Sequence, residues 1–108
     1  MAKAKAKATL SARAKTDLLS IGSYTLETWG EAQAVRYLDG LERCTKMLAA
    51  NPSLGRPSDW LRRGLYRFET GRHVVFYRRK PNGIFVVRIL HQSILPDRQF
   101  GEQETEKS

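Results

Sequence analysis

From Ser11 onward the larger side chains recur every three or four positions: Leu18, Ile21, Tyr24, Thr25 and Thr28, in a run ending at Trp29. That spacing lays them along one side of an α-helix, and Ser11, ahead of the run, carries a hydroxyl suited to capping its first turn. Gly30 interrupts the pattern. Ala34, Tyr37, Leu38, Leu41, Cys44 and Leu48 then share the face of a second helix, which Asn51 and Pro52 stop. Two helices joined at Trp29-Gly30 make an αα-hairpin. With Pro52, Gly55 and Pro57, the stretch Asn51 to Trp60 reads as a loop without regular structure.

Beyond Trp60 the period drops to two. Leu65 to Glu69, His73 to Arg79 and Ile84 to Leu90 read as three strands, with Thr70-Gly71 and Pro81-Asn82-Gly83 as turns, and three such strands in succession form an antiparallel meander. In the last strand Ile84, Val86, Arg88 and Leu90 alternate with Phe85, Val87, Ile89 and His91. Both sets are largely apolar, which marks a central strand covered on both faces. A short edge strand within Lys5 to Leu10 is the natural neighbour for it. The predicted class is α+β, in the order β-α-α-β-β-β, with the helical hairpin on one face of a small, four-stranded, mainly antiparallel sheet. Ser93 to Phe100 adds a turn and a short extended or helical piece. The Ala/Lys start and the polar stretch Gly101 to Ser108 read as flexible ends of one domain folded over about residues 5–100.

Composition narrows the function classes. At 108 residues the chain is about one domain's worth. No stretch approaches the roughly 20 apolar residues that span a bilayer, and MAKAKAKA lacks the apolar segment of a secretory signal, so a cytoplasmic protein without a membrane partner is expected. A single cysteine, Cys44, excludes an intramolecular disulfide and a multi-cysteine metal site, and its place in a helical apolar pattern suits a small core residue. The two histidines are far apart, and there is no Gly-rich phosphate loop, dinucleotide fingerprint or Ser/His/Asp series; no metal and no cofactor are expected. The net charge is +8, mostly from arginine in the second half. That favours an anionic partner, and either nucleic acid or an acidic protein segment satisfies it, while about half of the arginines can be assigned to solvating an outward sheet face.

Several blocks, taken together, resemble the ParE toxins of the ParE/RelE toxin–antitoxin family. They are Tyr24, Trp29-Gly30, Ala34 and Tyr37-Leu38; Asn51-Pro52 with Gly55-Arg56-Pro57; Arg63-Gly64-Leu65-Tyr66-Arg67-Phe68; Gly71 to Arg78; and Val87 to Gln92 with Asp97 after it. The likeness runs in register from about Leu10 to Phe100. It implies a RelE-like fold, a hetero-oligomer with a ParD-like antitoxin, and DNA gyrase as the target of a toxin that performs no chemistry itself. The RelE branch of the same fold implies the alternative, a ribosome-dependent messenger RNA endonuclease, so fold does not decide function.

For that alternative, a site of Arg67, Arg72 and His91 is the candidate, since cleavage needs groups that move a proton and stabilise a charged phosphate. Against it, Pro96-Asp97-Arg98-Gln99-Phe100 offers no phenol where RelE-type enzymes carry a tyrosine, and the paired lysines typical of that branch are missing before the second strand. His91 also suits a bond within the fold that anchors the C-terminal segment. Arg67 and Arg72 on adjacent strands would need an acid between them, from Glu69 or from an antitoxin. An edge made by Arg56, Trp60, Leu61, Arg62, Arg63 and Leu65 is the candidate antitoxin surface, with Trp60 alternatively capping the core. Arg98, Gln99 and Phe100 are the candidate target contacts, on the expectation that an aromatic after a turn is exposed.

Overall fold

A computed structural model describes residues 6–100; the flexible ends expected from the sequence lie outside the described residues. The elements are β1 (Lys7–Leu10), α1 (Ala12–Trp29), α2 (Glu31–Ala50), a 3-10 turn (Pro52–Leu54), β2 (Arg56–Pro57), β3 (Leu65–Thr70), β4 (His73–Lys80), β5 (Gly83–His91) and α3 (Pro96–Phe100). The described strands form one sheet in the order β1-β5-β4-β3-β2. β1 runs parallel to β5 and the other pairings are antiparallel.

Local chemistry explains the helical hairpin. The Ser11 hydroxyl accepts the Ala14 N–H at 2.9 Å, as an N-cap should, and donates to the Val87 carbonyl at 2.7 Å, so one residue both ends the β1 pairing and starts α1. Gly30 takes φ 94°, where a side chain is disfavoured, and its N–H closes α1 on the Leu26 carbonyl at 3.0 Å. The facing residues then pack on the sheet: Ile21, Leu41, Cys44 and Leu48 meet Val75, Tyr77, Ile84, Val86 and Ile89. Full burial of one such aliphatic side chain contributes about 1.5–3 kcal/mol. Burial pushes the Cys44 thiol pKa up, partly offset by a hydrogen bond with Thr70, consistent with a core role.

A second, smaller core lies on the opposite face of the sheet, where Leu65, Val74, Phe76 and Leu90 enclose Phe100 from α3, with Leu61 and Val87 at its margin. The Phe76 and Phe100 rings meet edge-on at 5.0 Å. Helices on one face alone were expected; covering both faces is what buries Val74 to Tyr77 continuously along β4.

Three further expectations are corrected. Asn51 to Trp60 is not all loop, because Arg56–Pro57 adds a fifth strand to the sheet, pairing with Arg67 and Tyr66. The buried hydroxyl of Tyr77 makes this possible: it donates to the Pro52 carbonyl at 2.6 Å and accepts the Gly55 N–H at 2.9 Å, pinning the loop against β3. The strict alternation in β5 breaks where Tyr77 pairs with Val86 and Phe76 with Arg88, leaving Val87 as the extra residue of a bulge. After it the phase is reversed: Ile89 joins Ile84 and Val86 in the first core, while Leu90 joins Val87 in the second. Finally, Tyr24 and Thr28 of α1 share the core-side periodicity but are exposed, because the last turns of that helix overhang the sheet beside an open cleft.

Candidate functional site

The cleft lies where α1 and α2 pass the ends of β4 and β5. It has a volume of about 690 Å³, with Ile21, Tyr24, Trp29, Tyr37 and Ile94 as apolar wall and Asp17, Arg72, His73, Arg88 and His91 as polar lining. Tyr24 and Trp29 are 65% and 64% exposed, a large aromatic surface to leave in water at the rim of a concavity.

Its polar groups are bound to one another. The Asp17 carboxylate accepts Arg88 Nε and Nη2, each at 2.9 Å, and the Ile89 N–H at 2.8 Å. Both side chains of the pair are only 12% exposed. β1 pairs with β5 only as far as Val86, so Asp17 satisfies an amide on the stretch of β5 that β1 leaves uncovered. Arg88 is also 3.3 Å from the Gln99 amide oxygen, linking α1, β5 and α3. The Tyr37 hydroxyl accepts the Arg72 N–H at 3.0 Å and pairs with His73 Nδ1 at 2.6 Å. The His73 and His91 rings stand edge-on at 5.3 Å. Burial, then the neighbouring His91, hold the His73 pKa below its usual 6.5, only partly countered by Asp17. His91 Nδ1 accepts the Ser93 N–H at 3.0 Å and lies 2.8 Å from its hydroxyl. An imidazole nitrogen that accepts an amide proton carries none itself, so the proton of neutral His91 sits on Nε2. The ring thus hydrogen-bonds within the fold, to a residue two positions along the chain.

Arg67, Arg72 and His91 are not brought together. Arg72 and His91 line the cleft, whereas Arg67 belongs to a separate cluster, with its Nη2 2.8 Å from Glu69. The acid expected between two arginines is Glu69, but its second partner is Arg56, whose Nη2 reaches both Glu69 oxygens at 3.0 and 2.9 Å, and not Arg72.

The loop edge is rearranged as well. Within it the Ser58 carbonyl accepts the Leu61 N–H at 2.9 Å, and the Asp59 carboxylate accepts the Gly64 N–H at 2.9 Å. This turn directs Leu61 to the second core and leaves Trp60 outside, 66% exposed, so Trp60 does not cap the core. Arg56 and Arg63 are exposed, Arg62 lies over the Phe100 ring at 5.8 Å, and Leu65 is wholly buried, which removes it as a contact residue. Of the three C-terminal candidates only Arg98 is exposed. Gln99 is half-buried, and Phe100, expected to be exposed, is 3% exposed because the second core gives it a place to pack.

Asp17 and Tyr24, with Trp29 at the rim, are the site residues that sequence reasoning did not select. A signal existed for Asp17: Arg88 inside an otherwise apolar central strand requires a buried acid, and α1 supplies Asp17 on its sheet-facing side.

Comparison with known proteins gives one consistent result. The family model for the ParE toxin of the type II toxin–antitoxin system parDE matches residues 8–96. Toxin ParE1 of Caulobacter vibrioides is 42% identical over 85 residues, covering 79% of this chain and 88% of that protein. Toxin ParE1 of Mycobacterium tuberculosis is 41% identical over 92 residues, covering 84% and 94%. Among solved structures, the chromosomal ParDE system of P. aeruginosa superposes with a TM-score of 0.67 at 18% identity, over 81% of this chain and 96% of that one. The toxin–antitoxin complex RelBE2 of M. tuberculosis gives 0.56 at 19% identity, over 82% and 99%, and so shares the fold. Both the family match and relatives above 40% identity over most of the chain place it on the ParE side of that shared architecture: the chain belongs to the ParE toxin family of type II toxin–antitoxin systems.

Proposed function

We propose that this toxin works in the cytoplasm as a protein ligand of DNA gyrase, performing no bond cleavage itself, and that a cognate ParD-like antitoxin neutralises it in a hetero-oligomer. The observation that carries the first part is the dispersal of the groups an RNA-cleaving site would need. Arg67 is bound to Glu69 away from the cleft, and Arg88 within the cleft is neutralised by Asp17. His91 has Nδ1 committed to Ser93. A phosphate entering the cleft would meet Arg72 without a second uncompensated guanidinium beside it.

Support for the antitoxin comes from the two solved relatives, both described as toxin–antitoxin assemblies. On this chain the edge formed by Arg56, Trp60 and Arg63, with Leu61 and Arg62 behind, joins an exposed aromatic to positive charge, which suits an acidic antitoxin segment that folds as it binds. Arg98 is the candidate target contact.

Induced expression without antitoxin tests the reading. Gyrase-linked DNA breaks with intact transcripts, together with inhibition of purified gyrase by purified toxin, are expected. Codon-phased cuts in translated messages with unaffected gyrase would overturn it.

A further inference from the structure

Glu69 is an acid shared by two arginines, one on β2 and one on β3. Arg56 Nη2 contacts both of its oxygens, and Arg67 Nη2 contacts one of them at 2.8 Å. The Glu69 side chain is 51% exposed and that of Arg56 66%, so water already competes for this arrangement. Arg67 is more enclosed, at 24%, and its buried Nε has no acceptor, which means that Glu69, two residues along the same strand, does not exhaust its hydrogen-bonding capacity. Because Arg67 Nε is buried, a carboxylate arriving from outside meets the same two donors that Glu69 uses, Arg56 Nη2 and Arg67 Nη2.

We infer that Arg56 and Arg67 form a carboxylate-exchange site, in which an acidic side chain of the antitoxin takes the place that Glu69 holds in the free toxin. This rests on the proposal that an acidic antitoxin segment docks on this edge. The occupant is a protein acid and not a phosphate backbone for two reasons. The group already bridging the arginines is itself a carboxylate, which a partner Glu or Asp reproduces. Trp60, four residues after Arg56 in the sequence, is exposed and offers an apolar anchor to a peptide side chain. Glu69 thereby keeps two arginines from repelling one another until the partner arrives, and acts as a competitor that the partner must displace.

The test measures fluorescence anisotropy of a labelled 12-residue peptide alternating Glu and Leu, and of a 12-base-pair DNA duplex, against the full chain. Glu69→Gln is expected to tighten peptide binding about two- to fivefold, the range an exposed ion pair can contribute. Asp39→Asn, at an exposed position of α2, makes the same change in net charge and is expected to leave it unchanged. Equal effects of the two variants would overturn the exchange. In that case Arg63→Glu separates the two levels: weaker peptide binding keeps the docking edge, and unchanged binding removes it too. A gain for the duplex as large as for the peptide would overturn the assignment to a protein acid. Should Glu69→Gln melt well below the wild type, Arg56→Gln serves instead; it is expected to weaken the peptide about two- to fivefold, and no change would overturn the inference.

Discussion

Replacing Asp17 with Ala should be among the most destabilising single changes in this protein. The carboxylate receives two bonds from Arg88 and one from the Ile89 N–H, all between 2.8 and 2.9 Å, and both partners of the ion pair are 12% exposed. Removing one member of a buried pair costs about 3–5 kcal/mol, because the remaining charge stays out of water. Here Gln99 stands 3.3 Å from Arg88 and supplies partial compensation, so the lower end, about 3 kcal/mol, is expected. Total stability for a domain of this size is roughly 5–15 kcal/mol. At about 4–8 °C per kcal/mol, the melting temperature should fall by about 12–24 °C. Asp17→Asn keeps an acceptor for Ile89 and should lose about half as much, near the roughly 1.5–3 kcal/mol of a hydrogen bond to a charged group. The double variant Asp17→Leu/Arg88→Met removes both charges and should be more stable than Asp17→Ala alone. Urea unfolding followed by circular dichroism at 222 nm gives these values without depending on Trp29 and Trp60, which are exposed in the folded state. A cost below about 1 kcal/mol for Asp17→Ala, or a double variant worse than the single, would refute the reasoning.

Other outcomes follow from single contacts. His73 has its pKa lowered by burial and by His91, so the unfolded chain binds the proton more readily. Stability should therefore be unaffected above the unfolded value, near 6.5, and fall as the pH drops from there toward the folded value, levelling off below it. His73→Gln should flatten that decline in urea titrations from pH 7.5 to 5, and an unchanged slope would count against it. At Gly55 an added Cβ would run into the Tyr77 hydroxyl and come within 2.9 Å of the Arg67 carbonyl oxygen. Gly55→Ala should cost about 1–3 kcal/mol by overpacking. Tyr77→Phe, which leaves the Gly55 N–H without its acceptor, should cost about as much; thermal melts check both. Phe100→Ala should lower the melting temperature by opening the second core, whereas Arg98→Ala should not, so loss of growth arrest in Arg98→Ala at normal stability is the clean readout of a target contact. Full toxicity of Arg98→Ala would remove that candidate.

The parts of this protein legible in its sequence are those decided within a few residues. Ser11 caps α1 because its hydroxyl reaches an amide three residues on, and Gly30 divides the hairpin because it alone among its neighbours readily takes a positive φ. The meander and its central strand followed from period and turn residues, and the family from the order of short blocks. Local pattern cannot report which groups meet across the fold. The bulge at Val87 reverses the facing of Ile89 and Leu90 after an unbroken apolar run, Phe100 finds a core on the far side of the sheet, and Pro57 is drawn into a strand by a tyrosine 20 positions later. The candidate site shows the same division: the sequence named arginines and histidines as chemistry-bearing, but only the fold separated Arg67 from Arg72 and His91, and only the fold set Asp17 against Arg88, 71 residues away. Backbone preference and hydrophobic period act between near neighbours, so sequence alone determined the elements; pairing of charges and filling of space act between surfaces, so tertiary structure decided which arginines remain available to a partner.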